Sequence, residues 1–327
     1  MIKILLITSA LDNKFNDKLF NLLGASKKLF SQCNVPYGDI PHGDVPYCDV
    51  LVVGHNIAKC CAEIATYAGV FEVLMLDDII YADLIIESMY KGIAGIIRNY
   101  SHVLIIDDSF GKSLLPKIAG FLELAQLSSV VGIISANVFQ RYIYAGNILV
   151  DVELYEPIKL LPIRATAFLP YAVKDKTTGV IKAIMIAMED SEHKVILLKK
   201  RQQSEEINLS NAKVVVSGGR ALLSKENFEQ LIIALAHKYK GAYGATRQAV
   251  ELGLADNSSQ VGQTGQIIAP EVYVAFGISG AVQHIVGMKD SKIVIAINTD
   301  HSAPIFEYAD YGLIEDLFEV IPKLLTQ

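Results

Sequence analysis

Apolar and polar positions follow two alternating rhythms along the 327-residue chain. Residues 2–8 form a short apolar run, the mark of a strand buried on both faces. Phe15, Leu19, Leu22, Leu23, Ser26, Leu29 and Phe30 then recur at helical spacing and predict an amphipathic helix. The strand-then-helix order repeats. A strand at 49–53 precedes a helix to about Tyr67. A strand at 72–76 precedes a helix marked by Leu84, Ile85, Met89, Ile93, Ile96 and Ile97. A strand at 103–106 precedes a helix over 112–125, and a strand follows at 130–135. Repeated βαβ units predict a parallel sheet covered by helices on both faces.

The rhythm changes near Asn137. Three short strands are predicted at 139–144, 148–155 and 158–165, separated by the turn signals Ala145-Gly146-Asn147 and Glu156-Pro157. They read as an antiparallel addition to the sheet. Two more strands are predicted at 181–188 and 194–198. Residues 199–211 read as a linker, because 199–206 form an unbroken polar run that could bury almost nothing. It divides the chain into an N-terminal domain at 1–200, a linker at 201–212 and a second domain at 213–327. The second domain predicts strands at 214–217, 242–245, 272–276 and 293–298, and helices at 225–237, 246–252, 280–286 and 313–324. The fold class is therefore α/β, in two domains that each carry a mostly parallel sheet with flanking helices.

Composition narrows the picture. Apolar residues make up 52% and charged residues 20%, which excludes a disordered or fibrous chain. The net charge of −6 argues against a nucleic-acid partner. No apolar run is long enough for a membrane span, and the N-terminus lacks the pattern of a signal or transit peptide. A cytoplasmic location is expected. Cys33, Cys48, Cys60 and Cys61 show neither C-x-x-C nor metal-ligand spacing and read as reduced thiols. Glycine is denser beyond residue 212: 11 in 115 positions, against 12 in the preceding 212. Glycine at that density fits close approach of backbone to a ligand.

In the second domain, several predicted strands end on small or polar residues before a helix. Ser217-Gly218-Gly219-Arg220, Thr246-Arg247, Gly277-Ile278-Ser279-Gly280 and Asn298 all occupy such positions. In a parallel sheet these carboxyl ends share one crevice, where ligands bind. Glycine backbone N–H groups and helix N-termini favour an anion there, and Arg220 and Arg247 add positive charge. Taken alone, this reads as a dinucleotide site; the structural alternative is turn glycines and arginines paired with surface acids.

Familiar signatures are missing. No G-x-G-x-x-G occurs. Gly111-Lys112-Ser113 looks like the end of a phosphate loop, but Ile106 stands where its first glycine belongs. Gly277-Ile278-Ser279-Gly280-Ala281 approaches a nucleophile elbow, but Ala281 replaces the last glycine and no suitable triad partners follow. No H-E-x-x-H or carboxylate cluster marks a metal site.

A more specific pattern runs through residues 213–327. Its segments are Val214-Val215-Val216-Ser217-Gly218-Gly219-Arg220, Gly244-Ala245-Thr246-Arg247 and Gln260-Val261-Gly262-Gln263-Thr264-Gly265. Gly277-Ile278-Ser279-Gly280-Ala281-Val282-Gln283-His284, Gly287-Met288-Lys289-Asp290-Ser291 and Ala296-Ile297-Asn298 follow, and Ala303-Pro304-Ile305-Phe306 and Ala309-Asp310-Tyr311-Gly312 close the set. In order and spacing they resemble the alpha subunit of electron-transfer flavoprotein, the FixB-like family. The N-terminal domain resembles it more weakly, at residues 116–126, 142–147 and 164–168. Thr246 stands where the family commonly has serine, His301-Ser302 where it has Pro-Glu, and residues 34–47 find no clear counterpart.

The resemblance implies a Rossmann-like, FAD-binding C-terminal domain in a heterodimer with a beta subunit. Arg220 would contact the FAD phosphates, and Thr246 and Arg247 would sit at the flavin, with Arg247 over the isoalloxazine. Val261, Gly262, Gln263 and Thr264 would wrap the flavin, the Thr264 hydroxyl near N5. Ser279, Gly280, Ala281, Val282, Gln283 and His284 would bring a helix N-terminus to the cofactor, His284 near the C2 carbonyl. Asn298, Asp316 and Leu317 would hold the adenosine end. The implied role is an electron carrier rather than an enzyme. It would take electrons singly from flavoprotein dehydrogenases such as acyl-CoA dehydrogenases, as in fatty acid beta-oxidation. It would pass them to a membrane quinone oxidoreductase through a stabilised anionic flavin radical. Arg247, aided by His284, would supply the charge that favours the reduced form; a unit charge ~4 Å away at an effective dielectric of ~20 is worth at most ~4 kcal/mol. The competing classes are an NAD-dependent oxidoreductase or transferase on a related fold, and a nucleotide-binding module without redox activity.

Overall fold

The computed structural model describes residues 2–11, 13–32, 48–174, 179–186, 195, 197–198, 209 and 212–326. Two compact units divide the chain, Met1–Lys200 and Arg201–Gln327. Cys33, the segment 34–47, residues 187–188 of one expected strand, residues 194 and 196 of the strand expected at 194–198 and all but Leu209 of the segment 199–211 lie outside the described residues.

In the first unit, β1 (Ile4–Leu11), β2 (Lys14–Phe15), α1 (Leu19–Gln32), β3 (Cys48–Gly54), α2 (Ala58–Ile64) and β4 (Val70–Asp77) follow one another. Next come α3 (Tyr90–Ile97), β5 (His102–Ile106), α4 (Ser109–Leu122), β6 (Val130–Ile133), β7 (Val138–Ile143) and β8 (Ile148–Glu153). The described elements of this unit end with β9 (Lys159–Ile163) and β10 (Val180–Ala183). The strand order is β10-β4-β3-β1-β5-β9-β6-β7-β8, with β2 paired to β1. Alternation along the central strands explains the two helical layers. Leu6, Val50, Val52 and Leu104 pack with α1 and α2 on one face; Leu5, Ile7, Leu51, Val53, Val103 and Ile105 pack with α3 and α4 on the other.

Three expectations for this unit are corrected. The third strand after Asn137 is not antiparallel: β9 lies between β5 and β6 and runs parallel to both. Its sequence, Lys-Leu-Leu-Pro-Ile, lacks alternation because both faces are buried. Pro162 is accommodated because the pairing with β6 is confined to Val130 and Ile163. The helix expected from Leu84 begins at Tyr90 instead, since Leu84 has φ +49° and Ile85 is extended. Phe15 belongs to the short β2 rather than to α1.

The second unit contains β11 (Val214–Gly218), then α5 (Lys225–Asn227) and α6 (Ala234–Lys238) joined by a π turn at Phe228–Ile233. It continues through β12 (Ala242–Ala245), α7 (Arg247–Glu251), β13 (Val272–Phe276), α8 (Val282–Met288), β14 (Ile293–Ile297), β15 (Tyr311–Leu313) and α9 (Leu317–Thr326). All pairings are parallel, in the order β12-β11-β13-β14-β15. Val216, Phe276 and Ile297 face Phe228, Ile232, Leu235 and Ile321 on one side; Val215, Tyr273, Ala275 and Ala296 face Ile285, Met288 and Ile305 on the other. The closing helix starts at Leu317 rather than 313. Residues 311–313 add an exposed edge strand, and the Asp316 carboxylate accepts from the Phe318 N–H at 2.9 Å, fixing the helix start.

Candidate functional site

The strand order of the second unit reverses between β11 and β13. The chain leaves β11 toward β12 and returns to place β13 on the opposite side. Loops after neighbouring strands diverge at such a switch point and leave a crevice at their carboxyl ends. A cleft of about 780 Å³ opens there. Gly219 and Gly277 form its floor so closely that a Cβ on Gly219 would lie 2.1 Å from the Gly277 carbonyl oxygen.

Twelve of the sixteen residues expected at the cofactor line this cleft: Arg220, Thr246, Arg247, Val261, Gly262, Gln263, Thr264, Ser279, Ala281, Gln283, His284 and Asn298. Each is set by local structure. The Thr246 hydroxyl caps α7, accepting from the Ala249 N–H at 3.2 Å. Gly262 has φ +144°, and a Cβ there would meet the Gln283 carbonyl oxygen at 2.7 Å. This lets the Val261–Thr264 loop dock on α8, where the Gln263 N–H donates to that carbonyl at 2.8 Å. Gln260 Nε2 donates to Thr264 Oγ1 at 2.8 Å, leaving the Thr264 proton free for another acceptor. Asn298 Nδ2 donates to the Ile278 carbonyl at 3.0 Å and ties the β14 end to the β13 loop.

The other four stand off the cleft lining. Gly280, buried with φ +88°, turns the chain against Ile305. Val282 is exposed on α8, Asp316 is exposed as the cap of α9, and the Leu317 side chain is part of the core.

The electrostatics differ from expectation at His284. The ring is buried, with Nδ1 3.0 Å from the Val261 carbonyl oxygen and Nε2 2.8 Å from the Tyr273 hydroxyl. Burial pulls its pKa down to about 4. A neutral imidazole with both nitrogens engaged supplies no positive charge, so the expected electrostatic aid to Arg247 is corrected. Arg247 is exposed and carries its charge at the cleft, with Nε 2.7 Å from Glu251 Oε1.

Leu223, Gln248, Glu251 and Asp300 also line the cleft and were missed in the sequence. Glu251 had a usable signal: it follows Arg247 by four residues on a predicted helix, the spacing of an ion pair. Among the described residues, no cluster of His, Cys, Asp or Glu forms a metal site, and no helix is long and apolar enough to cross a membrane.

A parallel sheet with a glycine-floored cleft at its switch point, two arginines and a set of fixed hydroxyls and amides defines a nucleotide-cofactor-binding α/β protein. Comparison with known proteins makes the class specific. Residues 208–289 match the family described as "Electron transfer flavoprotein FAD-binding domain", and residues 5–188 match the "Electron transfer flavoprotein domain". The chain is 42% identical over 275 residues to the electron transfer flavoprotein subunit alpha of Pseudomonas aeruginosa, covering 84% of this chain and 88% of that one. The subunit alpha of Paracoccus denitrificans gives the same identity and coverage. A probable mitochondrial subunit alpha of Caenorhabditis elegans is 41% identical over 281 residues, covering 84% of this chain and 82% of its own. The chain belongs to the electron transfer flavoprotein alpha-subunit family, and its cofactor is FAD. The cleft fits that group: bare backbone approaches at Gly219 and Gly262, cations stand at Arg220 and Arg247, and hydroxyls at Thr246 and Thr264.

Proposed function

We propose that the chain is the alpha subunit of a heterodimeric electron carrier, cytoplasmic, that holds FAD in the switch-point cleft and shuttles single electrons. The donors would be flavoprotein dehydrogenases, acyl-CoA dehydrogenases among them, and the acceptor a membrane quinone oxidoreductase. The observation that carries this reading is Arg247. It stands at the cleft, on the first turn of the helix that Thr246 caps, where its charge can meet a bound anionic cofactor. A cation so placed suits tuning of a cofactor that carries the chemistry itself.

FAD, when bound, supplies the one-electron chemistry. The protein's residues do the rest. Arg220, just beyond β11, would meet the phosphates, and Arg247 and the Val261–Thr264 loop would meet the isoalloxazine; all of them line the one cleft. Asn298 joins two strand ends and would hold the adenosine side with Asp316 and Leu317. A cation at Arg247 favours the negatively charged reduced flavin, and ~59 mV corresponds to a tenfold preference in a one-electron couple.

A beta partner is supported by the two strands that end the first unit's sheet among the described residues. The terminal strand β8 exposes Ile148 and Leu149, and the terminal strand β10 exposes Val180 and Ile181. Apolar edge strands are a liability unless covered.

The test is stepwise reduction of the chain co-expressed with a beta subunit. A flavin spectrum passing through the red anionic radical supports the carrier; a colourless protein that binds NAD instead overturns it. Arg247→Ala should cut the radical yield severalfold while FAD stays bound or is weakened. Arg220→Ala should weaken FAD binding without moving the potential. An unchanged radical yield in Arg247→Ala removes the role given to that residue.

A further inference from the structure

Tyr273 is fully buried on β13, among Ile285, Met288 and Ala275, and does not line the cleft. Its hydroxyl is the polar end of an otherwise apolar side chain, and a buried hydroxyl needs a partner. Two side chains meet it: His284 Nε2, 2.8 Å away, and the buried Ser217 hydroxyl, which can donate to the phenol oxygen while the phenol proton goes to the ring. On the other side of the imidazole, Nδ1 faces the Val261 carbonyl at 3.0 Å. A carbonyl only accepts, so Nδ1 carries the proton. In a neutral ring Nε2 then holds a lone pair, and the Tyr273 hydroxyl donates to it. The three groups form a directed chain from β13, through α8, to the first residue of the loop placed at the flavin.

We infer that Tyr273 is a positioning residue for the cofactor cleft: its hydroxyl locks His284 in the Nδ1–H tautomer, and the locked imidazole anchors Val261 and so presets the Val261–Thr264 loop. An imidazole free in water prefers the Nε2–H form. Without the tyrosine donor, a proton on Nε2 would leave Nδ1 bare against a carbonyl, two acceptors face to face, and the anchor would be lost. Burial supports the assignment, since desolvation disfavours a doubly protonated ring at neutral pH. The loop has a second tether, the Gln263 N–H to Gln283 carbonyl bond, so loss of the first shifts the loop rather than unfolding it.

The ligand consequence rests on the FAD reading above, whereas the tautomer does not. The test is ring ¹⁵N NMR of histidine-labelled protein in complex with its partner at neutral pH, with the His284 signal assigned by its loss in His284→Gln. The wild type should show protonated Nδ1 and unprotonated Nε2. Tyr273→Phe should shift that ring toward Nε2–H or a mixture, and should raise the FAD dissociation constant about fivefold or more by fluorescence titration. Wild-type His284 found as Nε2–H or as the cation overturns the inference, and that measurement holds whether or not the variant folds. A changed tautomer with unchanged FAD affinity also overturns it, because the loop would then not depend on the lock. A wild type with the Nδ1–H tautomer that binds no FAD would instead count against the function proposed above.

Discussion

At the scale of single residues, the cleft's electrostatics come down to one pair. Arg247 and Glu251 are both more than half exposed, and a pair of that kind contributes only a few tenths of a kcal/mol to the helix. It holds the guanidinium in place weakly, so reorienting the arginine over a ligand costs little. The carboxylate nevertheless offsets part of the positive charge that a reduced flavin would meet. Glu251→Gln should therefore raise the first one-electron potential by about 30–60 mV, roughly a three- to tenfold stronger preference for the reduced form. Spectroelectrochemical titration of the complex reads this directly, and an unchanged or lowered potential would show that Glu251 does not act on Arg247. The arginine was legible in the sequence because the motif carried it; its counter-charge sits outside the motif and becomes visible only once the helix is built. The neutral state of His284 was not legible at all, since it comes from burial, which only the packing of the folded unit creates.

At the scale of elements, α7 is too short to persist on its own propensity. Its five residues are held by one buried contact, Ala249 against the sheet, and by the Thr246 cap. Thr246→Ala should cost about 1 kcal/mol locally, and Thr246→Ser should restore most of it. Hydrogen exchange over residues 246–252 measures this: faster exchange in the alanine variant, near wild-type exchange in the serine variant, and no difference at all if the hydroxyl is not a cap. The same element shows why periodic reading succeeded where it did. Strands β1, β3 and β5 are apolar on both sides because helices cover both faces, and their runs stand out. The misread elements were those whose position depends on distant chain. Nothing within Lys-Leu-Leu-Pro-Ile says that it will insert between β5 and β6. The three exposed residues of β15 carry no burial pattern to detect. Leu84 and Ile85 continue a helical rhythm that a positive φ at Leu84 breaks.

At the scale of the whole molecule, the two units differ in which buried groups titrate, and this gives them opposite pH limits. All four cysteines lie before residue 62, and burial pushes Cys48 and Cys61 up to about 12 from an ordinary 9.0. Above pH 9 the unfolded chain releases these protons while the folded chain keeps them, so the folded state binds more protons and stability falls as pH rises. Each group approaches a slope of roughly 1.4 kcal/mol per pH unit once the unfolded thiol is ionised, which amounts to about 2 kcal/mol for the pair between pH 9 and 10. The second unit has no thiol, and its buried Tyr273, also raised by burial, begins to act only above the ordinary tyrosine value of 10.0. On the acid side the order inverts. His284, held down to about 4, stays neutral in the folded state while the unfolded ring protonates below 6.5; stability is whole above that value and drains away from 6.5 to 4. His102 in the first unit is lowered by burial too, but Asp49 there is raised by burial, so the folded unit takes up a proton early and softens its own acid loss. Hydrogen exchange should therefore show β3 and α2 opening first between pH 9 and 10, and β13 and α8 opening first between pH 5 and 4. If both units opened together at each limit, or in the reverse order, the buried thiols and His284 would not be the groups that set the chain's pH range.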